Sequence, residues 1–553
     1  MSAPLRASSE VDRPVGLLDP VYRPAAIGLE SEVAVRSADF RRNNKHEIFF
    51  GGITMNRRHF MQRSVAAAVA ASLLPQQSFS AALRALTQAT SDIDAVTGNG
   101  AGIVLEKAAV NELGLSLRGK LLLTGSEGYD LARRVMNGSI DKYPALIVQP
   151  TGVVDIQQAI NFARERELLL AVKCGGHSWS GKSTCNGGLL LDLSTFRNVR
   201  VDPARRRAYV AGGSLLGELD HESMAQGLVT TAGTVSHTGV SGLTLGGGFG
   251  RVARRFGLAL DNVRSVDIVT ADGQLRHASA EENEDLYWGV RGGGGNFGVV
   301  TSLEFELHPM QRTVTAGEVV FPLSRTKELL SFYADFGEQA SDNLYVDLVI
   351  NAAPGAPGVC LLHICHSGTP AEAERELAPL QKLGEPIANT IAAKDYVAVQ
   401  RSFDNSDPRA AGQYLKSGFI RGIDDKLVRA IADGFEADTV RSTMFFFQAA
   451  GGAIERVPVD ATAFPHRYAS HTMFSLIDWP LDADSEPHQA WQRRYWDTLE
   501  PFTDGYYTNE TADEGQRAIN SNYRGNYERL LFLKKRYDPG NLFRLNANIR
   551  PPA

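Results

Sequence analysis

The stretch WGVRGGGGNFGVVTSLEFEL, residues 288–307, decides between two folds. Gly293, Gly295 and Gly298 satisfy the G-x-G-x-x-G spacing of a dinucleotide-binding turn. In that fold the glycines follow a strand and open a helix. Here they open VVTSLEFEL, a β-branched and aromatic run that alternates toward its end and reads as a long strand. The Rossmann reading is therefore rejected.

Working outward, VDIVTADGQLRHAS (266–279) reads as a hairpin turning at Ala-Asp-Gly. YPALIVQP (143–150), VDIQQAINFARERE (154–167) and LLLAVKC (168–174) read as strand, helix and strand, with Asp155 as the helix N-cap. Residues 83–111 read as a helical or loose linker. From about 316 the texture changes: strands such as LYVDLVINAA (344–353) and TMFFFQAAGGA (443–453) alternate with helices such as DDKLVRAIADGFEA (424–437), which predicts an α+β domain with an antiparallel sheet. The end of the chain, residues 523–549, reads as a helix, a Pro-Gly stop and an extended tail.

At 553 residues the chain is too long for one core, and two domains are expected. With 43% hydrophobic and 22% charged residues it is not a disordered chain. Its net charge of −6 argues against a nucleic-acid partner. The four cysteines, Cys174, Cys185, Cys360 and Cys365, make neither a zinc pattern nor a disulfide framework, so no metal is expected.

Two glycine-rich motifs precede the deciding stretch. In KCGGHSWSG (173–181) two glycines let the backbone lie against a flat or charged ligand, and His177 follows at once. In GVSGLTLGGGFGRVARRFGLALDN (239–262) the triple glycine and the basic run make an anion cradle, or else a purely structural turn. Taken in order, with NYERLLFLKKRYDPGNLFRLNANI at 526–549, these motifs resemble the berberine bridge enzyme-like FAD-linked oxidases of the vanillyl-alcohol oxidase superfamily, with a PCMH-type FAD-binding domain. The resemblance covers roughly residues 115–551 and is closest in pattern to bacterial 6-hydroxy-D-nicotine oxidase-like members.

The resemblance implies an α+β, two-domain vanillyl-alcohol-oxidase-type fold. An FAD domain at 112–315 is completed by a berberine-bridge-like segment at 500–553, and a substrate domain at 316–499 roofs the flavin. It implies FAD bound covalently through His177 only, because Gly239 stands where some members carry a second, cysteine tether. It places Cys174, Gly175, Gly176 and Ser178 around the pyrophosphate, with Gly239, Gly242, Gly246, Gly247 and Gly248 continuing the cradle. Gly298 and Val300 lie along the adenosine, and Asn546 and Asn548 approach the flavin.

Two departures bear on the chemistry. Trp179 stands where the family often has a tyrosine, and an indole cannot accept a proton. Phe474, counted back from Trp479, stands where plant members carry Glu or Gln. The candidate active-site residues are then Tyr507 and Asn509 in GYYTNE, which resembles a family strand, together with Gln448 and Trp179. Tyr507 either orients substrate and accepts a proton, or packs on the ring face; His237 and His471 read as structural. The implied reaction moves a hydride from a C–H bond to flavin, with O2 regenerating the oxidised flavin and yielding H2O2. Sugars or other alcohols, amines, and a secondary metabolite under oxidative tailoring are all open as substrates, and so is a non-catalytic flavin-binding protein.

Upstream, NRRHFMQR (56–63), the apolar run SVAAAVAASLL (64–74) and the small residues at 78–82 read as a twin-arginine signal over 55–82, or as a basic patch before a buried alanine helix. The run is too short for a membrane anchor, so export by the twin-arginine machinery to the periplasm or beyond is expected. A signal opening at Met55 implies that residues 1–54 are a non-native extension.

Overall fold

The computed structural model describes residues 48–50, 53–55, 89–404, 408–438, 440–510 and 514–551. Ile48–Phe50 and Ile53–Met55 form a short antiparallel pair. The rest of the expected extension (1–54) and signal (55–82) lies outside the described residues.

Three sheets carry the fold from Ala89 onward. The first runs Lys120–Leu122, Leu146–Gln149, Leu189–Asp192, Leu170–Lys173, and its last three strands are parallel neighbours. The βαβ reading holds: helix Val153–Glu165 links the two strands that flank Leu189–Asp192. Its buried face, Ile156, Ala159, Ile160 and Ala163, packs on Leu146, Val148, Leu170 and Leu191 of this sheet. Val269 and Val299 of the second sheet join the same cluster, so the helix is a shared wall. Asp155 is not the N-cap. Gly152 is, and Asp155 sits in the first turn, where its carboxylate accepts the N–H groups of Thr151, Arg118 and Gly119 at 2.8–3.0 Å.

The second sheet is antiparallel, in the order Leu275–Ser279, Val263–Thr270, Gly298–Glu306, Arg207–Ala211, Val199–Asp202. The deciding stretch is thus a central strand. Gly298 is needed there because a Cβ would collide with Val269 O across the ladder.

The linker reading of 83–111 is corrected. Ile93–Val96 and Gly102–Leu105 form a hairpin, followed by helix Lys107–Ser116. Val96 N donates to Gly187 O and Leu169 N to Val96 O, at 2.8 and 3.0 Å, which tie the hairpin to the first sheet. Four-residue strands carry too little alternation to be legible in sequence.

The third sheet is large and antiparallel: Thr313–Pro322, Val359–His366, Leu344–Ala352, Ser442–Ala449, His471–Pro480, Ala411–Ile420, with two short segments on its outer edge. Its side chains alternate between faces. Leu344, Val346, Leu348, Ile350, Phe445, Phe447 and Met473 face outward onto helices Thr326–Glu338, Asp425–Gly434 and Ser485–Leu499, making one apolar core. The opposite face carries Tyr345, Asp347, Phe446, Gln448 and Phe474. Tyr345, Cys365 and Ala449 pack there with Met224, Val229 and Val252 of the preceding segment. The C-terminal helix Tyr527–Tyr537 then returns to the second sheet's core through Leu530 and Leu533. Among the described residues no helix is long and apolar enough to cross a membrane.

Candidate active site

The KCGGHSWSG turn leaves strand Leu170–Lys173 and meets the second glycine motif at once. A Cβ on Gly175 would collide with Gly239 N, and one on Gly239 with Cys174 Sγ. Two glycine backbones therefore lie directly against each other, and position 239 has no room for any side chain. Cys174 donates to Ser214 O at 3.5 Å, and burial pushes its thiol up to about 11. Ser178 Oγ accepts Lys182 N at 3.1 Å, and Gly176 takes φ +73°, closed to most side chains.

His177 projects from this turn. Its Nε2 lies 2.8 Å from His237 Nδ1, and its Nδ1 lies 3.3 Å from Thr238 Oγ1. Burial, with the adjacent His237, pulls its pKa down to about 3, so the imidazole is neutral. His237, expected as structural, thus holds the ring of His177. His471 remains among Tyr333 and Phe447, hydrogen-bonded to Ser470.

The triple glycine closes short helix Val240–Gly246. Tyr507 and Asn509 lie on it. Tyr507 accepts Gly248 N at 2.7 Å and Asn509 Nδ2 at 2.9 Å, and Asn509 Nδ2 also donates to Leu243 O at 2.9 Å. A Cβ on Gly247 would stand 2.9 Å from the Tyr507 ring, and one on Gly246 would strike Asn509. GYYTNE is a turn rather than the strand its resemblance suggested. Burial raises the Tyr507 phenol far above its ordinary range, and its two donors do not offset this. With two donors on its hydroxyl, Tyr507 braces the turn against the glycine cradle.

The third approach comes from the tail. Asn546 Nδ2 donates to Gly295 O at 3.0 Å, and Asn296 Nδ2 to Ala547 O at 3.0 Å. Lys534, fully buried, binds Asp538, Asn296 O and Phe543 O at 2.7–2.9 Å, fixing the loop before the tail. Val300 is buried in the core of the second sheet, so it meets a ligand only through backbone.

These three approaches fit a dinucleotide cofactor. Cβ positions at Gly242, Gly294 and Gly295 open on empty space, and the buried Oδ1 atoms of Asn546 and Asn548 have no partner among the described residues. Flat open backbone beside unsatisfied polar atoms is what a bound nucleotide would complete.

Comparison with known proteins agrees. Residues 144–279 match an FAD binding domain, and residues 506–550 match the berberine and berberine-like family. An FAD-linked oxidoreductase of Dictyostelium discoideum is 33% identical over 445 residues, 80% of this chain and 97% of that protein. The chain belongs to the berberine bridge enzyme-like family of FAD-linked oxidoreductases. (R)-6-hydroxynicotine oxidase of Paenarthrobacter nicotinovorans is 29% identical over 79% of this chain and 98% of that protein. The crystal structure of 6-hydroxy-D-nicotine oxidase from Arthrobacter nicotinovorans superposes with a TM-score of 0.73 at 28% identity, covering 79% of this chain and 99% of that one. Xylooligosaccharide oxidase from Myceliophthora thermophila gives 0.72 at 25% identity, covering 80% and 100%.

In this berberine bridge enzyme-like chain the third sheet, expected to roof the flavin, carries a second buried polar cluster. Gln448 Nε2 donates to Tyr345 Oη at 3.1 Å, and Tyr345 donates to Asp347 Oδ2 at 2.6 Å. Gln448 Oε1 is buried without a partner. Burial pushes Asp347 up to about 7. Trp179 is tied to the roof by Asn137, whose Nδ2 reaches both Trp179 O and Gln413 O, at 3.0 and 2.9 Å. Phe474 stacks on Phe446 at 4.7 Å, an apolar pair. Sequence reasoning missed Tyr345, Asp347 and Glu510. The first two were quoted only as strand residues. Two-residue alternation groups Tyr345 with Asp347 on one face but does not say which face is inward.

Proposed function

We propose that this FAD-dependent oxidase removes a hydride from a C–H bond of a small alcohol, sugar or amine, with O2 as the final acceptor and H2O2 as co-product. The observation that carries the reading is the buried polar face of the third sheet, Gln448–Tyr345–Asp347, in a chain that also carries the glycine cradle. A sheet face in contact with only apolar neighbours has no reason to bury an aspartate, a tyrosine and a half-satisfied amide. FAD, when bound, supplies the hydride acceptor and the route of electrons to O2. The chain's residues do the rest: Gln448 Oε1 offers an acceptor that orients a substrate N–H or O–H, and Phe446 with Phe474 excludes water on that side.

The proposal includes a single covalent attachment through His177. Its neutral imidazole is held at Nε2 by His237, which leaves Nδ1 beside Thr238 as the bond-forming nitrogen. It also includes twin-arginine export, supported by Arg57-Arg58 ahead of the apolar run. The test of the reaction is aerobic: the FAD-loaded protein is incubated with oligosaccharides, benzylic alcohols and cyclic amines while peroxide is measured. Peroxide with one class supports the reading; none with any class contradicts it.

A further inference from the structure

Glu510 closes the turn that Tyr507 anchors. Its N–H donates to Tyr507 O at 2.9 Å, and the preceding residue, Asn509, lies on Gly246. The residue keeps some exposure, but Oε2 is buried and has no hydrogen-bond partner among the described residues. A carboxyl oxygen sealed from water without a donor is costly unless it is protonated or awaits a ligand. Among the described residues, the other buried carboxyl with an unpartnered oxygen is Asp220, whose second oxygen accepts from Gln400. Glu510 follows Asn509, which lies on Gly246, and it feels the charge of Asp347 on the third sheet.

The charged group acting on Glu510 is Asp347, on the facing sheet, and the like charge disfavours ionising both. On Asp347 act the Tyr345 hydroxyl, the Ala449 N–H at 3.3 Å, and the charges of Arg251 and His363. So Asp347 has four stabilising neighbours and Glu510 has none. Burial, with the like charge of Asp347, pushes Glu510 up to about 8, and burial pushes Asp347 up to about 7.

We propose that Glu510 is the catalytic base of an alcohol oxidation, receiving the substrate hydroxyl proton at its carboxyl, with Asp347 as the positioning carboxyl that acts through it. The proposal rests on the oxidase reading above and narrows it to alcohols. The balance is simple: the substrate O–H proton passes to the Glu510 carboxylate, the C–H hydride leaves to the family's cofactor, and the C–O bond becomes C=O. An amine substrate is neutral at nitrogen above its own pKa and needs no such acceptor.

The test uses the FAD-loaded protein and has two readings. In the first, infrared difference spectra between pH 6 and pH 9 are compared for wild type and Glu510→Gln. A protonated-carboxyl band lost on raising the pH, and missing from Glu510→Gln, is expected; the same band in both proteins overturns the assignment. In the second, anaerobic reduction rates are taken with the alcohols that reduce wild type. The rate rises with pH in wild type, the rise moves to lower pH in Asp347→Asn, and Glu510→Gln is slower by about 10²-fold or more with its flavin spectrum kept. Equal rates in wild type and Glu510→Gln overturn the proposal, while wild type inert to every substrate class overturns the oxidase reading instead. If Glu510→Gln does not fold, Glu510→Asp replaces it: a carboxyl is retained, and the pH limb must shift while the band persists.

Discussion

The Tyr507 hydroxyl accepts the Gly248 amide at 2.7 Å across 259 positions of sequence. That bond joins the tail segment to the glycine cradle, and Asn509 and Glu510 take their places from it. Removing it tests the brace directly. Tyr507→Phe leaves Gly248 N and Asn509 Nδ2 short of an acceptor, costing about 1–3 kcal/mol. The expected outcome is a lower denaturation midpoint, with the pH profile of flavin reduction unmoved. A profile that loses its basic limb would restore Tyr507 as the base.

His177→Ala removes the proposed point of attachment. Acid-precipitated wild type is expected to retain yellow flavin in the pellet, and the variant to release it to the supernatant. His237→Ala keeps the attachment residue but frees its ring, and slower, incomplete attachment is expected. Flavin released from wild type by acid would remove covalent attachment from the account.

Gly175 has no room for a methyl group, because Gly239 N occupies the space. Gly175→Ala is expected to cost about 1–3 kcal/mol and to weaken FAD retention together. Gly242→Ala, where a Cβ meets nothing within 4 Å, is the contrast: stability unchanged and FAD retention reduced. Thermal unfolding with and without added FAD separates the two effects.

Much of this architecture is legible in the sequence. GGHS, GLTLGGGFG and the 526–549 tail each carry glycines or asparagines whose placement only a ligand or a close backbone approach explains. The hairpin at 93–105 is not legible, because its strands are four residues long and are held by backbone hydrogen bonds to Gly187 and Leu169. The polar face of the third sheet is not legible either. Asp347 lies in LYVDLVINA, which reads as ordinary strand; only the packing of Leu344, Val346 and Leu348 on the helices shows that Asp347 faces inward. Glu510 gains its character from burial and from Asp347, which no local pattern encodes.

Asp220 gives a stability prediction with a definite sign. Its Oδ2 accepts Gln400 Nε2 at 3.1 Å, its Oδ1 is buried without a partner, and burial raises it to about 7. A raised folded-state value means the contribution is full below the ordinary carboxylate range and is lost as pH climbs through about 7. Asp220→Asn should flatten the fall in stability between about pH 4 and about pH 7, by up to about 1.4 kcal/mol per pH unit. Denaturant titrations across that range check it, and identical slopes would show the carboxyl ionised throughout.

Lys534 holds the turn that launches the tail. Lys534→Met leaves Asp538 buried without its cation, at an expected cost of about 3–5 kcal/mol. Loss of FAD should accompany the loss of stability, because Asn546 and Asn548 follow this turn.

The most direct test of the account is anaerobic. The purified FAD-loaded protein is mixed with sugars, benzylic alcohols and cyclic amines while the flavin absorbance is followed. The account predicts bleaching by one class, an alcohol, and return of the yellow band with peroxide when air is admitted. A flavin that dithionite bleaches and no substrate class does would contradict it.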